Sequence, residues 1–304
     1  MRSFKWISWF ILALVSCSFL PSARPQSGLS MQQAHQAWSQ VSNWVTYYGP
    51  YYDQSMRSQL NSYDLLVLGY MDKRQVIPHQ PIVLQYLAVM EASPTARQYY
   101  DWLKQVDPTW HVADNPDYPG TWIMDIRQPA WRDKIIKEAI PWTLSHGGNG
   151  LMLDTFGDLD LYVYGNDWLQ AAALLVRDIR AAYPDLLLVI NEPGQLLYQV
   201  YPQIDGFIWE QFQADIRSGQ LLSQPRGSWG NSDFHKFLQW RQQNSDAQRL
   251  LVLTNDMVQN NDPAKIQYCV DQSLLYGFVP SITPASDLAH RYQSLSQQLK
   301  PVGH

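Results

Sequence analysis

The sequence has 304 residues, 46% hydrophobic and 16% charged, with 22 Lys and Arg against 27 Asp and Glu. That apolar content excludes a disordered chain. A net charge of −5, without any Lys/Arg run, excludes the concentrated basic face that nucleic acid requires. Thirteen Trp and eighteen Tyr supply rings either for a core or for stacking on flat ligands such as sugar faces.

At the N-terminus, Arg2 and Lys5 flank a short apolar run, Ile7 to Val15, too short to span a bilayer. It ends in Leu14-Val15-Ser16-Cys17, which resembles the bacterial lipobox, where the cysteine is lipidated and becomes the first residue. The segment predicts export to the cell envelope, with Cys17 as a membrane-attaching lipid anchor. A plain signal peptide cut near Ser22 or Ala23 and an uncleaved anchor are the alternatives. The Ser/Pro/Gly/Gln stretch to Ser30 reads as a tether, so residues 1–30 are targeting segment and tether and 31–304 form one domain. With Cys17 either acylated or removed, Cys269 has no cysteine to pair with, so no intrachain disulfide is expected, and its apolar helical setting predicts a buried, inert thiol.

Eight short apolar runs read as buried strands: Trp44–Tyr48, Leu65–Tyr70, Ile82–Val89, Gly150–Asp154, Leu186–Asn191, Gly206–Glu210, Leu250–Thr254 and Phe278–Ile282. Amphipathic stretches at Asp133–Ser145, Asp167–Tyr183, Asp233–Asn244, Pro263–Tyr276 and Ser286–Leu299 read as helices. The alternation predicts an α/β fold with a parallel sheet, and eight strands in this length predict closure into a single (β/α)8 TIM barrel. A doubly wound open sheet would want a Gly-rich turn after the first strand, and Gly49-Pro50-Tyr51 is not one. Gly147-Gly148-Asn149-Gly150 precedes a strand and reads as a helix stop and turn.

The reactive face of such a barrel is the C-terminal end of its strands. Acids close or follow most of the apolar runs: Asp72, Glu91, Asp154, Glu192 after Asn191, Glu210, and Asp256 after Asn255. Like charges gathered at one rim repel, which points to a ligand; helix capping is the alternative for Asp72 and Asp256. Two carboxylates on opposed strands are what glycoside cleavage needs, one donating a proton and one acting as nucleophile or activating water. Seven scattered His, the lack of a His-Glu-x-x-His run and the lack of a Cys cluster predict no metal site, and there is no Gly-x-Ser-x-Gly elbow. His111, beside Trp110 and before an insertion at Asp114–Gly120, is a further candidate for substrate contact.

Several motifs carry a resemblance. Tyr86-Leu87-Ala88-Val89-Met90-Glu91 is similar to a Tyr-Leu-Ser-(apolar)-Gly-Glu strand, with Met90 where Gly is usual. Gly150-Leu151-Met152-Leu153-Asp154-Thr155 is similar to a Gly-(apolar)3-Asp-Thr strand. With Trp122–Ile126, Pro129–Arg132, Leu188–Asn191 and Ile204–Glu210, they follow the order and spacing of the endo-α-1,4-polygalactosaminidase-like hydrolases, glycoside hydrolase family 114, over residues 44–285. The resemblance implies a barrel that cleaves α-1,4-linked galactosamine or N-acetylgalactosamine polysaccharide by a retaining mechanism, without a cofactor. Asp154 is the expected nucleophile and Glu210 the expected general acid/base. Tyr48, Asp72, Glu91, Trp122, Asp125, Asn191 and Asn255 are the expected substrate contacts. Met90 is expected to narrow the cleft or shift Glu91, and Trp131 to pack the following helix. Tyr47, Tyr48, Trp122 and Trp209 form a candidate aromatic rim, although alternation turns Trp209 away from the lumen. A non-catalytic carbohydrate-binding barrel and a hydrolase of another α-linked polysaccharide are the rival readings.

Overall fold

In the computed structural model, the described residues are 29–48, 58–69, 81–93, 101–104, 106–161, 165–215, 218–225, 231–259 and 262–284. Cys17, Asp72 and the expected helix Ser286–Leu299 lie outside them. The strands in chain order are β1 (Trp44–Tyr47), β2 (Leu65–Leu68), β3 (Ile82–Ala88), β4 (Glu91–Ala92), β5 (His111–Asp114), β6 (Trp122–Met124), β7 (Gly150–Asp154), β8 (Leu187–Asn191), β9 (Gly206–Glu210), β10 (Leu251–Val258) and β11 (Val279–Pro284).

Eight of these form one all-parallel sheet in the order β1-β2-β3-β7-β8-β9-β10-β11, and each contains the core of one expected apolar run. The sheet curls until its end strands meet. The indole of Trp44, buried in the lumen, donates to the carbonyl of Val279 at 2.9 Å and so ties β1 to β11. The architecture is the (β/α)8 TIM barrel.

Strand alternation divides the apolar residues into two layers. Trp44, Leu65, Val67, Ile82, Leu84, Met152, Leu187, Val189, Ile208, Leu253 and Val279 fill the lumen. Their neighbours in sequence face the helices, where helix Asn166–Ala182 buries Ala172, Leu175, Val176 and Ile179 against the outside of the barrel. Trp209 lies in this outer layer, fully buried among Phe207, Phe212, Phe234, Phe237 and Phe278. It is a core ring and not part of a rim; truncation to Ala would cost about 3–5 kcal/mol. Tyr47 likewise faces outward and is buried against Tyr63, Leu66 and Leu68. Cys269 is the expected buried thiol, its pKa raised by burial.

Three features depart from the sequence reading. First, a helix absent from the sequence reading spans Met31–Trp38, capped by Ser30 through a reciprocal box with Gln33. That helix closes the N-terminal end of the barrel: Ala34 and Trp38 join the lumen cluster, and the Trp38 indole donates to Asp205 O at 3.2 Å. Secondly, β4, β5 and β6 form a separate antiparallel sheet, so the expected insertion at Asp114–Gly120 is the turn of a hairpin. Thirdly, Met90 is fully buried in the outer core and does not narrow a cleft. Trp131 packs as expected, its indole donating to Val89 O at 2.9 Å.

Candidate active site

The parity that fills the lumen also aims the last side chain of three adjacent strands at the C-terminal mouth. Asp154 ends β7, Asn191 ends β8 and Glu210 ends β9. Asn191 Nδ2 lies between the two acids and donates to Asp154 Oδ1 at 2.9 Å and to Glu210 Oε1 at 3.3 Å. A single nitrogen serving both acceptors keeps these oxygens no further apart than the two bond lengths combined. Burial, with the charge of Asp154 added, pushes the Glu210 carboxyl up to about 7, and the Asn191 hydrogen bond opposes that rise.

The chain leaves each of these three strands through a non-glycine residue in the left-handed region. These are Thr155 at φ 74°, Glu192 at φ 46° and Gln211 at φ 54°. Such conformations cost about 1–3 kcal/mol each and collect at functional sites. Side chains and ladder bonds hold all three. Thr155 Oγ1 accepts from the amides of Val89 and Met90 at 3.2 and 2.8 Å and donates to Asp154 O at 2.6 Å. The Glu192 carboxylate accepts the Glu210 amide. The Gln211 amide donates to Asn255 O at 2.8 Å.

A second pair of acids borders the first. Glu91, at the start of β4, receives a hydrogen bond from Asn115 Nδ2 at 2.5 Å and also interacts with Asp158, the first residue of the short helix Asp158–Leu161 after β7. Burial raises the pKa of both groups, and the neighbouring charge of Asp154 adds to it. Tyr118 lies in the turn of the β5–β6 hairpin, its backbone amide bonded to the same Asn115 side chain that donates to Glu91. Its hydroxyl is raised in pKa by partial burial and then by the charges of Glu210, Asp154 and Glu91.

The remaining expected contacts divide into those at the mouth and those elsewhere. Tyr48 follows β1 on the lumen side, its ring edge-to-face with Tyr86 at 5.4 Å. Gly69 makes room for it, since a Cβ there would lie 2.3 Å from the Tyr48 ring. Asn255 is on the lumen face of β10 opposite Glu210, and its Oδ1 accepts from Thr283 Oγ1 at 3.1 Å. Trp122 belongs to the small sheet and stacks on His111 at 4.9 Å. Asp125 stands apart from the acid pair: Arg127 Nε at 2.8 Å and Gln128 Nε2 at 3.2 Å engage its two oxygens, bracing the entry to helix Pro129–Lys134. Asp256 is not at the rim; it faces outward, fully buried, and accepts the amides of Gln213 and Ala214 at 2.6 and 2.9 Å.

Sequence reasoning missed Asp158, Asn115, Tyr118 and the supporting role of Thr155. Asn115-Pro116-Asp117-Tyr118 does carry a turn signal, because an Asn side chain can accept amides two and three residues ahead. Among the described residues, no group of His, Cys, Asp and Glu is arranged to hold a metal ion.

No protein-family model and no curated protein matches the sequence. Solved structures do. The glycoside hydrolase domain of PelA from Pseudomonas aeruginosa superposes with a TM-score of 0.62 at 18% identity, covering 80% of this chain and 95% of that one. Ega3 from Aspergillus fumigatus, solved in complex with galactosamine, gives 0.60 at 12% identity over 83% and 94%. The α-galactosidase TtGalA from Thermus thermophilus gives 0.50 at 12% identity over 88% and 61%. At these identities the likeness establishes the fold: this chain is built on the barrel that these glycoside hydrolases use.

Proposed function

We propose that the protein is a retaining glycoside hydrolase of an α-1,4-linked galactosamine or N-acetylgalactosamine polysaccharide. Asp154 is the nucleophile and Glu210 the general acid/base. The observation that carries the reading is the Asn191 amide shared between two mouth carboxylates, one of them held at about 7. A carboxyl in that range is protonated often enough near neutrality to donate to a leaving oxygen, and basic enough once ionised to activate water.

In the first step, Glu210 gives its proton to the glycosidic oxygen while Asp154 Oδ attacks the anomeric carbon. The C–O bond to the leaving sugar breaks and a glycosyl–Asp154 ester forms. In the second step, ionised Glu210 takes a proton from water, whose oxygen displaces Asp154 and regenerates both groups. The shorter Asp stays near its strand and the longer Glu reaches outward, which suits these roles. Asn191 steadies both carboxylates and holds Asp154 Oδ1 at 2.9 Å.

The sugar assignment is supported by the family resemblance, by the fold shared with PelA and Ega3, and by an acidic mouth that attracts a cationic amino sugar. Tyr48, Glu91, Trp122, Asn191 and Asn255 remain proposed contacts, together with Asp72 and Asp125. Export with Cys17 as lipid anchor, and polysaccharide as the partner, belong to the same reading. Among the described residues, no helix is long and apolar enough to cross a membrane.

The test is incubation with purified polysaccharides, including partly deacetylated α-1,4-galactosaminan, with products read by mass spectrometry. Shortened galactosaminan oligomers from the parent chain and none from Glu210→Gln support the proposal. Cleavage of an α-glucan instead, or binding without cleavage, favours one of the rivals.

A further inference from the structure

The hairpin joining β5 to β6 holds an aromatic ring in a place that the barrel itself does not require. Tyr118 is 67% exposed and belongs to none of the buried clusters, so the fold gains little from it. Yet its position is fixed. The Asn115 side chain accepts the amides of Asp117 and Tyr118 at 2.8 and 3.1 Å through Oδ1. The Tyr118 carbonyl accepts from the Thr121 amide at 3.0 Å, and the Thr121 carbonyl accepts from the Asn115 amide at 2.9 Å. The same Asn115 side chain reaches down with Nδ2 to Glu91 at 2.5 Å. One buried amide therefore joins the backbone of Tyr118 to a carboxylate at the border of the acid cluster.

Among the described residues, other large rings near the mouth are already engaged. Tyr48 packs on Tyr86, Trp122 on His111 and Trp131 beneath Val89. Tyr118 is the exposed ring whose hydroxyl senses Glu210, Asp154 and Glu91 together. A cluster of carboxylates beside an exposed aromatic ring suits a pyranose. The C–H face of the sugar packs on the ring, and its hydroxyl or amino groups face the carboxylates.

We propose that Tyr118, set in place by Asn115, is a specificity-determining residue that contacts the sugar ring bound over Glu91, Asp154 and Glu210. The proposal rests on the glycosidase reading above. Asn115 is a positioning residue, acting through the tyrosine.

The experiment measures binding of partly deacetylated α-1,4-galactosaminan to the full chain carrying Glu210→Gln, so that the polymer is not consumed. Tyr118→Ala should weaken binding about tenfold, the scale of one lost aromatic contact, at an unchanged melting temperature. Tyr118→Trp should keep most of the affinity. Val112→Ala, an exposed apolar change on the same hairpin, should bind as the parent does. Asn115→Ala should reproduce the loss, and the Asn115→Ala/Tyr118→Ala double variant should be no worse than the weaker single, because both act through one ring. A Tyr118→Ala chain that binds within twofold of its parent overturns the role of the tyrosine alone. Additive losses overturn the positioning role of Asn115. A parent that binds no galactosaminan overturns both this inference and the function on which it rests.

Discussion

Asn191 Nδ2 stands 3.3 Å from Glu210 Oε1 and donates to it, opposing the burial that raises the Glu210 carboxyl to about 7. Removing that donor has a defined direction. Glu210 must be protonated to serve as acid, so kcat/KM falls as pH rises through its pKa. Asn191→Ala takes away a hydrogen bond to the ionised form, the pKa rises further, and the basic limb of the profile moves to higher pH by about one unit. Turnover falls as well, because Asp154 loses its 2.9 Å donor. A limb that stays in place or moves to lower pH would sink the assignment of Glu210 as the acid.

The two acids should fail in different ways. Asp154→Asn and Glu210→Gln should each lower turnover on polymer by about 10² or more, the scale of covalent and proton-transfer catalysis. On a substrate with an activated leaving group, which needs no protonation, Glu210→Gln should keep its first step. Added azide should then rescue it as a glycosyl azide of retained configuration. Any azide product of Asp154→Asn should be inverted. The anomeric configuration, read by NMR, separates the roles, and the opposite pattern would exchange them.

Stability should respond to pH through the border pair. Burial raises the pKa of Glu91 and Asp158 in the fold, and Glu210 and Asp256 rise to about 7. An acid with a raised folded pKa binds more protons folded than unfolded. Its stabilising contribution is complete below the unfolded value near 4 and is lost as pH climbs through the folded value. The melting temperature should therefore fall between about pH 5 and pH 8. Asp158→Asn removes one ionisable group and retains a donor toward Glu91, so it should melt higher than the parent at pH 8, with a smaller gap at pH 5. A parent that becomes more stable across that interval would refute the account.

The barrel was legible because each buried strand is a short apolar run closed by a polar residue; Gly150–Asp154 and Gly206–Glu210 match the observed strands residue for residue. Asp154 and Glu210 were legible for the same reason, since strand alternation alone sends them into the mouth. Asp158, Asn115 and Tyr118 were not, because their roles arise from how loops fold back over the barrel, and no periodicity records that. Helix Met31–Trp38 was legible in principle from Ser30 and Gln33, but the Pro/Gly/Ser-rich stretch before it masked its start. Asp256 misled, because β10 runs on to Val258 and alternation turns Asp256 outward, away from the mouth.

Thr155 offers the sharpest test of how the site is braced. A β-branched residue at φ 74° is sterically disfavoured, so its side chain must compensate. It does so by accepting the Val89 and Met90 amides, which lead the chain from β3 toward Glu91, and by donating to Asp154 O. The Val89 amide has a second acceptor in Asp154 O at 3.1 Å. Met90 has its partner in the threonine hydroxyl at 2.8 Å. Thr155→Ala keeps the backbone strain and leaves the Met90 amide buried without that acceptor, which should cost about 1–3 kcal/mol. Thr155→Ser keeps the hydroxyl and drops the branch, so it should be at least as stable as the parent. Thr155→Gly relieves the strain but loses the acceptor, and should fall between them. Because the Val89–Met90 segment carries Glu91, Thr155→Ala should also weaken galactosaminan binding more than Thr155→Ser does. Urea denaturation of the three variants would show the order Ser, Gly, Ala; an alanine variant as stable as the serine one would mean that the hydroxyl braces nothing.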